Sequence, residues 1–441
     1  MNFCSQSATL YQNLKRQDIT LKIKIKKSSY QEVTALPKQK HVKPMKQSFF
    51  FRLLLRVVST FELWACKFSL RRVGMEKLGK KQPCLYLMNH SSFIDLEIAS
   101  VILFPRRFSI VSTTDGFVGK NLLMRLLGCI PTKKFIFDLG LIRDMSYAVK
   151  EHKSSILLYP EAGYTFDGTT TTLPENLGAF VKMLGIPVVM IETYGAFERQ
   201  PLYNNLRKRR VKVSAEMRYL LSEEDCAQKD AKELQSLIES QFSFDAFRRQ
   251  QEEKISITEP DRAEGLERVL YKCPACLAEG QTEGRGDSLV CHACGKKYLL
   301  DEHGFMRAEV GETEYPHIPD WYAWERDCVR RELEDGVYQL DCDVRVRMLV
   351  DTKCLYDVGD GRLLHTHEGF RLTSSDGTWE YTQKPISSYT LNSDFNWYEI
   401  GDVIGIGNPK ALYYCFPKDK SVSVAKARLA AEELYKILKK R

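Results

Sequence analysis

A histidine followed five residues later by an aspartate, Asn89-His90-Ser91-Ser92-Phe93-Ile94-Asp95, stands directly after the apolar run Cys84-Leu85-Tyr86-Leu87-Met88. A neutral imidazole accepts protons well near pH 7, and an adjacent carboxylate fixes its tautomer and steadies the imidazolium that forms. A second apolar run, Ser155-Ile156-Leu157-Leu158, leads into Tyr159-Pro160-Glu161-Ala162-Gly163. Two strand-like runs that each end in polar residues would gather His90, Asp95 and Glu161 at the carboxyl edge of a sheet, where active sites of open α/β folds lie. Ser92-Phe93-Ile94-Asp95 also fits a helix capping box. The two roles are compatible, because a carboxylate folded back over a helix start also approaches the residue just upstream, His90.

A second cluster has metal-ligand spacing. Cys273-Pro274-Ala275-Cys276 and Cys291-His292-Ala293-Cys294 are separated by 14 residues of polar, Gly-containing sequence. Each knuckle turns two thiolates toward one ion, and a hairpin between them completes a tetrahedral site, so the four cysteines predict a zinc ribbon. With every position a cysteine, the zinc is expected to be structural. The other nine of the 13 cysteines are scattered, as in a chain with reduced thiols rather than a disulfide framework.

The elements that must position these groups alternate between residues 75 and 220. Strands are expected at Leu85–Met88, Phe108–Ser112, Ile156–Tyr159, Val188–Glu192 and Val211–Met217, and helices at Phe93–Leu103, Lys120–Leu127, Asp144–Glu151 and Leu177–Leu184. This predicts an α/β fold, a mixed sheet flanked by helices. Charged helices follow over 222–255. Beyond Asp301 there are few helical runs and many short strands, then one amphipathic helix from Val422 to Lys439. A small β-rich, barrel-like domain with a C-terminal helix fits, similar to the pleckstrin-homology-type arrangement.

The ordered motifs resemble the glycerolipid acyltransferase family that includes lysophosphatidate (1-acyl-sn-glycerol-3-phosphate) acyltransferases. Asn89-His90-Ser91-Ser92-x-x-Asp95 matches its first motif. Gly128-Cys129-Ile130-Pro131-Thr132-Lys133-Lys134 resembles its Gly-led strand ending in a basic residue, Tyr159-Pro160-Glu161 its aromatic-Pro-Glu, and Gly185-Ile186-Pro187-Val188-Val189 its Pro-led segment. The resemblance covers about residues 48–255. It implies transfer of a fatty acyl group from acyl-CoA or acyl-carrier protein to the hydroxyl of a lysoglycerolipid, with 1-acylglycerol 3-phosphate as the leading acceptor, in phospholipid biosynthesis. His90 would be the general base and Asp95 its partner, with Lys133, Lys134, Glu161 and Gly163 at the substrate. The sequence departs from the family after Glu161: Ala162-Gly163-Tyr164 stands where Gly-Thr-Arg is usual, and a tyrosine cannot make the two-toothed pairing of Arg with a phosphate. Another lysolipid acceptor is therefore the alternative within the family. Outside it, the alternative is a non-catalytic zinc-ribbon adaptor.

Net charge is +8, and the excess is local: residues 1–44 hold nine Lys/Arg against two acidic residues, and 45–82 another nine against two. From Phe49 to Lys67 the sequence is largely apolar, with Arg52, Arg56, Ser59, Thr60 and Lys67 on one stripe. That predicts an amphipathic helix lying in an anionic membrane surface rather than a spanning one, with its basic residues at the headgroups. The expected location is the cytoplasmic face of a membrane, monotopic or peripheral, with the lysolipid acceptor and the acyl carrier as partners. Cys273 to Cys294 contains one Arg and no Lys, so no nucleic acid is expected. The resulting organisation is a basic arm over 1–44, disordered or upstream of a true start at Met45, an acyltransferase domain with its membrane helix over 45–255, a zinc ribbon over 256–300 and a β-rich domain over 301–441.

Overall fold

The computed structural model describes residues 23–37, 39–134 and 139–440. Residues 1–22 of the expected basic arm lie outside them. Seven strands form the first sheet, in the order Ser69–Val73, Ser214–Leu221, Val188–Tyr194, Leu85–Met88, Ser155–Leu158, Phe108–Thr113, Cys129–Thr132. All neighbours are parallel except Val188–Tyr194 with Ser214–Leu221, so the sheet is mixed. The central runs are buried on both faces, as uninterrupted apolar strands of a covered parallel sheet must be: Leu85, Tyr86, Leu87 and Met88 are all inaccessible. Helices Ile94–Ile102, Leu139–His152 and Leu177–Leu184 flank the sheet. The two central strands Leu85–Met88 and Ser155–Leu158 run side by side and in parallel. Their carboxyl ends therefore deliver Asn89–Asp95 and Tyr159–Gly163 to the same edge.

The helix Phe49–Ala65 is turned against the usual rule. Arg52 and Ser59 are buried against the body, and the Arg52 and Arg56 guanidiniums lie over the Phe104 ring. Phe49, Phe50, Leu54, Val57 and Val58 face outward, with Phe61 71% and Trp64 82% exposed. The polar stripe exists as expected, but Arg52 faces the protein, where burial pulls its pKa down. Among the described residues no helix is long and apolar enough to cross a membrane.

A four-stranded antiparallel sheet, Thr282–Arg285, Ser288–Cys291, Lys297–Leu300 and Met306–Ala308, carries the cysteine knuckles, and its last strand lies beyond the expected boundary at 300. Beyond it come a β-rich region and a final helix, Val424–Lys440. The seven antiparallel strands run Glu380–Gln383, Gly369–Ser374, Leu355–Thr366, Leu340–Leu349, Leu412–Pro417, Gly401–Gly407, Asn392–Trp397, and the ladder keeps two ends rather than pairing them. The long helix Ile318–Glu334 is one element of this region that was not expected. It is rich in charge, yet Ile318, Trp321, Tyr322, Glu325, Cys328, Val329 and Leu333 are buried at helical spacing, with a glutamate in the middle of the buried face. One apolar core joins Phe166 and Phe197 of the first region, Leu289 and Tyr298 of the ribbon, and Leu429 of the final helix.

The described part of residues 1–44 is packed, not disordered. Ile25–Lys27 pairs in parallel with Leu355–Asp357, Tyr30 stacks on Trp379 at 4.6 Å, Val33 is buried, and His41 meets Asp144 at 2.9 Å. Basic composition hid this, because the anchoring contacts are a few residues spaced along the segment. Burying a large apolar side chain is worth about 1.5–3 kcal/mol. A chain lacking residues 1–44 should therefore lose about 3 kcal/mol or more in urea unfolding; an unchanged midpoint and slope would contradict this packing.

Candidate active site

Asp95 is fully buried one residue into the helix Ile94–Ile102. Its Oδ2 accepts the backbone N–H groups of Ser91 at 2.8 Å and Ser92 at 2.9 Å, and lies 3.3 Å from His90 Nδ1. Its Oδ1 accepts the Thr193 hydroxyl at 3.2 Å. Two amide donors on Oδ2 make that oxygen an acceptor, so His90 Nδ1 carries the proton and a neutral His90 keeps Nε2 free as a base. Only half of the capping box forms. Asp95 reaches back as expected, but the Ser92 hydroxyl turns to Gln200 instead of capping the helix. Asn89 fixes the strand end: its Oδ1 accepts the Thr193 N–H at 2.8 Å and its Nδ2 donates to the Thr193 carbonyl at 3.2 Å.

Glu161 holds the histidine from the other side. Its Oε2 accepts the His90 backbone N–H at 2.8 Å, and its Oε1 accepts the Thr171 N–H at 2.8 Å and hydroxyl at 3.3 Å. Burial pushes its pKa up to about 7, against the pull of these donors. The turn after it is strained: Ala162 has φ +53°, in the left-handed region that β-carbons disfavour. A Cβ built on Gly163 would meet open space.

The His90 ring lies between Tyr159, stacked at 4.2 Å, and Tyr164, at 4.4 Å. The imidazole is 22% exposed, so substrate can reach it while two aromatic faces limit its rotation. The buried Tyr159 hydroxyl has no hydrogen-bond partner among the described residues. Lys133 and Lys134 turn to the β-rich region. Lys133 donates to the Pro409 carbonyl, and Lys134 lines a small cleft with Gln383, Ser388 and Asn392 and opposes the half-buried Asp394. Burial pushes Asp394 up to about 6. The same region reaches the rim elsewhere: Phe395 stacks on Phe166 at 4.2 Å, and the Tyr398 and Tyr414 hydroxyls donate to Asp115.

Thr171 and Thr193 were not legible as site residues. Each lies in an unrelated stretch of sequence; Thr171 acts mainly through its backbone N–H, which any residue but proline supplies, and Thr193 reaches Asp95 through a hydroxyl that nothing in its local sequence marks out. Tyr164 had a signal, standing where the family carries Arg.

The four cysteine sulfurs come together within 4.8 Å of one another, with Cys273 to Cys294 at 3.8 Å and Cys276 to Cys291 at 3.7 Å. A tetrahedron with zinc–sulfur bonds of about 2.3 Å has edges of about 3.8 Å, so this donor set fits zinc. With four thiolates it would leave no position open for substrate.

Residues 69–192 match the Acyltransferase family model. A chloroplastic 1-acyl-sn-glycerol-3-phosphate acyltransferase of Brassica napus is 26% identical over 133 residues, which are 29% of this chain; the chain spans 38% of that protein's length. The crystal structure of the 1-acyl-sn-glycerophosphate (LPA) acyltransferase PlsC from Thermotoga maritima covers 43% of this chain and 76% of its own, at 15% identity and a TM-score of 0.36. His90 and Glu161 both lie within residues 69–192, the segment that matches the Acyltransferase family model.

Proposed function

We propose that the chain is a membrane-surface O-acyltransferase that moves a fatty acyl group from acyl-CoA or acyl-carrier protein to the hydroxyl of a lysoglycerolipid, 1-acylglycerol 3-phosphate first among the acceptors. The observation that carries this reading is the His90 imidazole held at Nδ1 by Asp95, 3.3 Å away, within the acyltransferase-family segment. His90 Nε2 takes the acceptor's hydroxyl proton as its oxygen attacks the thioester carbonyl. The tetrahedral intermediate collapses with cleavage of the carbon–sulfur bond, and the imidazolium returns the proton to the leaving thiolate. Asp95 keeps the ring in register and stabilises its transient charge. Glu161 fixes the backbone at His90 and, through Thr171, the loop opposite. Direct transfer fits the neighbourhood, because the nearby thiols Cys84 and Cys129 are buried and pushed up to about 11 and about 12, far from thiolate.

The outward apolar face of Phe49–Ala65 supports a seat on the bilayer: Phe61 and Trp64 would enter the acyl boundary while Arg52 and Ser59 stay on the protein. The cytoplasmic face suits the unpaired thiols. Zinc at the ribbon is structural in this reading.

In an assay with labelled acyl donor and lysophosphatidate on anionic vesicles, His90→Ala should lower the rate by about 100-fold or more; a variant as fast as wild type would sink the assignment. Elemental analysis of the purified chain should give one zinc per chain. Cys273→Ser should fall well below that and melt at lower temperature, since structural zinc contributes directly to folding; full stability without metal would contradict a structural role.

A further inference from the structure

Between the loop after Glu161 and the two long C-terminal helices lies a cavity of about 210 Å³, lined by Thr169–Thr172, Arg326, Arg428, Glu432 and Lys436 among others. Its lining is mainly threonine and charged side chains, so it suits a polar headgroup rather than an acyl chain. Its hydrogen-bonding groups are unbalanced. Arg326 donates through Nη1 alone, to Glu432 at 2.7 Å and Glu433 at 3.0 Å, and Arg428 through Nε alone, to Glu432 at 3.2 Å. The remaining guanidinium nitrogens of both have no hydrogen-bond acceptor among the described residues, and none is sealed off as a buried, unpaired atom. The acceptors on the wall are already engaged. Glu432 also takes the Thr390 hydroxyl, and Asp167 takes Thr165 and Thr169. Lys436 adds a third cation, bonded to Glu433 at 2.8 Å. Arg326, Arg428 and Lys436 are matched in charge by Asp167, Glu432 and Glu433, so what the cavity asks of a ligand is acceptors for the guanidinium nitrogens left over, and a phosphoryl group brings three oxygens matched to guanidinium forks.

We propose that this cavity is a phosphoryl-binding site, built by the C-terminal helices against the acyltransferase loop, and that it receives the phosphate of the acceptor lipid. The second part rests on the transferase reading above. Its link to the chemistry is short: Thr171, on the cavity wall, donates to Glu161, and Glu161 accepts the His90 backbone N–H. A phosphate seated on the threonine loop is therefore tied through one carboxylate to the histidine.

The test uses the full zinc-loaded chain and two variants, Lys436→Gln at a half-exposed position and Thr172→Val, which carries no charge and tests the cavity if the first does not fold. Calorimetry with inorganic phosphate reads the site independently of catalysis. Binding weakened about tenfold in the variants is the expected result, and no phosphate binding by the wild type would overturn the proposal. Rates with lysophosphatidate and with monoacylglycerol of the same acyl chain read the source of the phosphate. A fall of about tenfold in the ratio of their kcat/KM values supports the acceptor headgroup. An unchanged ratio with weakened phosphate binding would overturn that assignment and leave a site for free phosphate. Wild-type protein that binds phosphate but transfers to no acceptor would reject the transferase reading while sustaining the cavity.

Discussion

The buried carboxylate of Asp95 organises the edge of the sheet where the chemistry would occur. A charge enclosed in protein is costly unless donors surround it, and here they come from three directions: the turn at Ser91 and Ser92, the imidazole of His90, and Thr193 on the neighbouring strand. Satisfying one carboxylate therefore fixes the strand end, the helix start and the tautomer of the histidine together. Glu161 repeats the device from the adjacent strand, joining the His90 backbone to Thr171. The two acids divide the work: one holds the ring, the other the backbone that carries it.

The ribbon and the β-rich region are not separate passengers. Their apolar core is continuous with Phe166 and Phe197, and Phe395, Tyr398 and Tyr414 reach the rim of the site. Lys133 and Lys134, which lead away from the first sheet, reach this region, Lys133 at the Pro409 carbonyl and Lys134 in the cleft beside Asn392. The C-terminal half thus contributes walls to the space around the candidate site, including the polar cavity, and its own knuckles draw four thiols into zinc geometry far along the sequence from His90.

Much of the first sheet was legible because its central strands are short, apolar and bounded by polar turns. Leu85–Met88 and the helix Leu177–Leu184 fall where their patterns put them. The His90, Asp95 and Glu161 constellation was legible from residue type and order, and the four cysteines from spacing. What escaped was set by tertiary partners: Ile318–Glu334 hides a glutamate on its buried face, Leu355–Thr366 was not anticipated, and Tyr30 and Val33 anchor a segment whose composition looks disordered. In the helix Phe49–Ala65 Arg52, Arg56 and Ser59 share a side as expected, but which side faces the protein depends on Phe104, over whose ring both guanidiniums lie.

The claim on which the account turns is that Asp95 positions a base. Asp95→Asn nearly preserves shape but can present an amide N–H to His90 Nδ1, favouring the wrong tautomer. Initial rates of acyl transfer to lysophosphatidate, with the folded state checked by melting, should fall by about 100-fold or more in this variant. A well-folded Asp95→Asn chain that transfers at the wild-type rate would contradict the account.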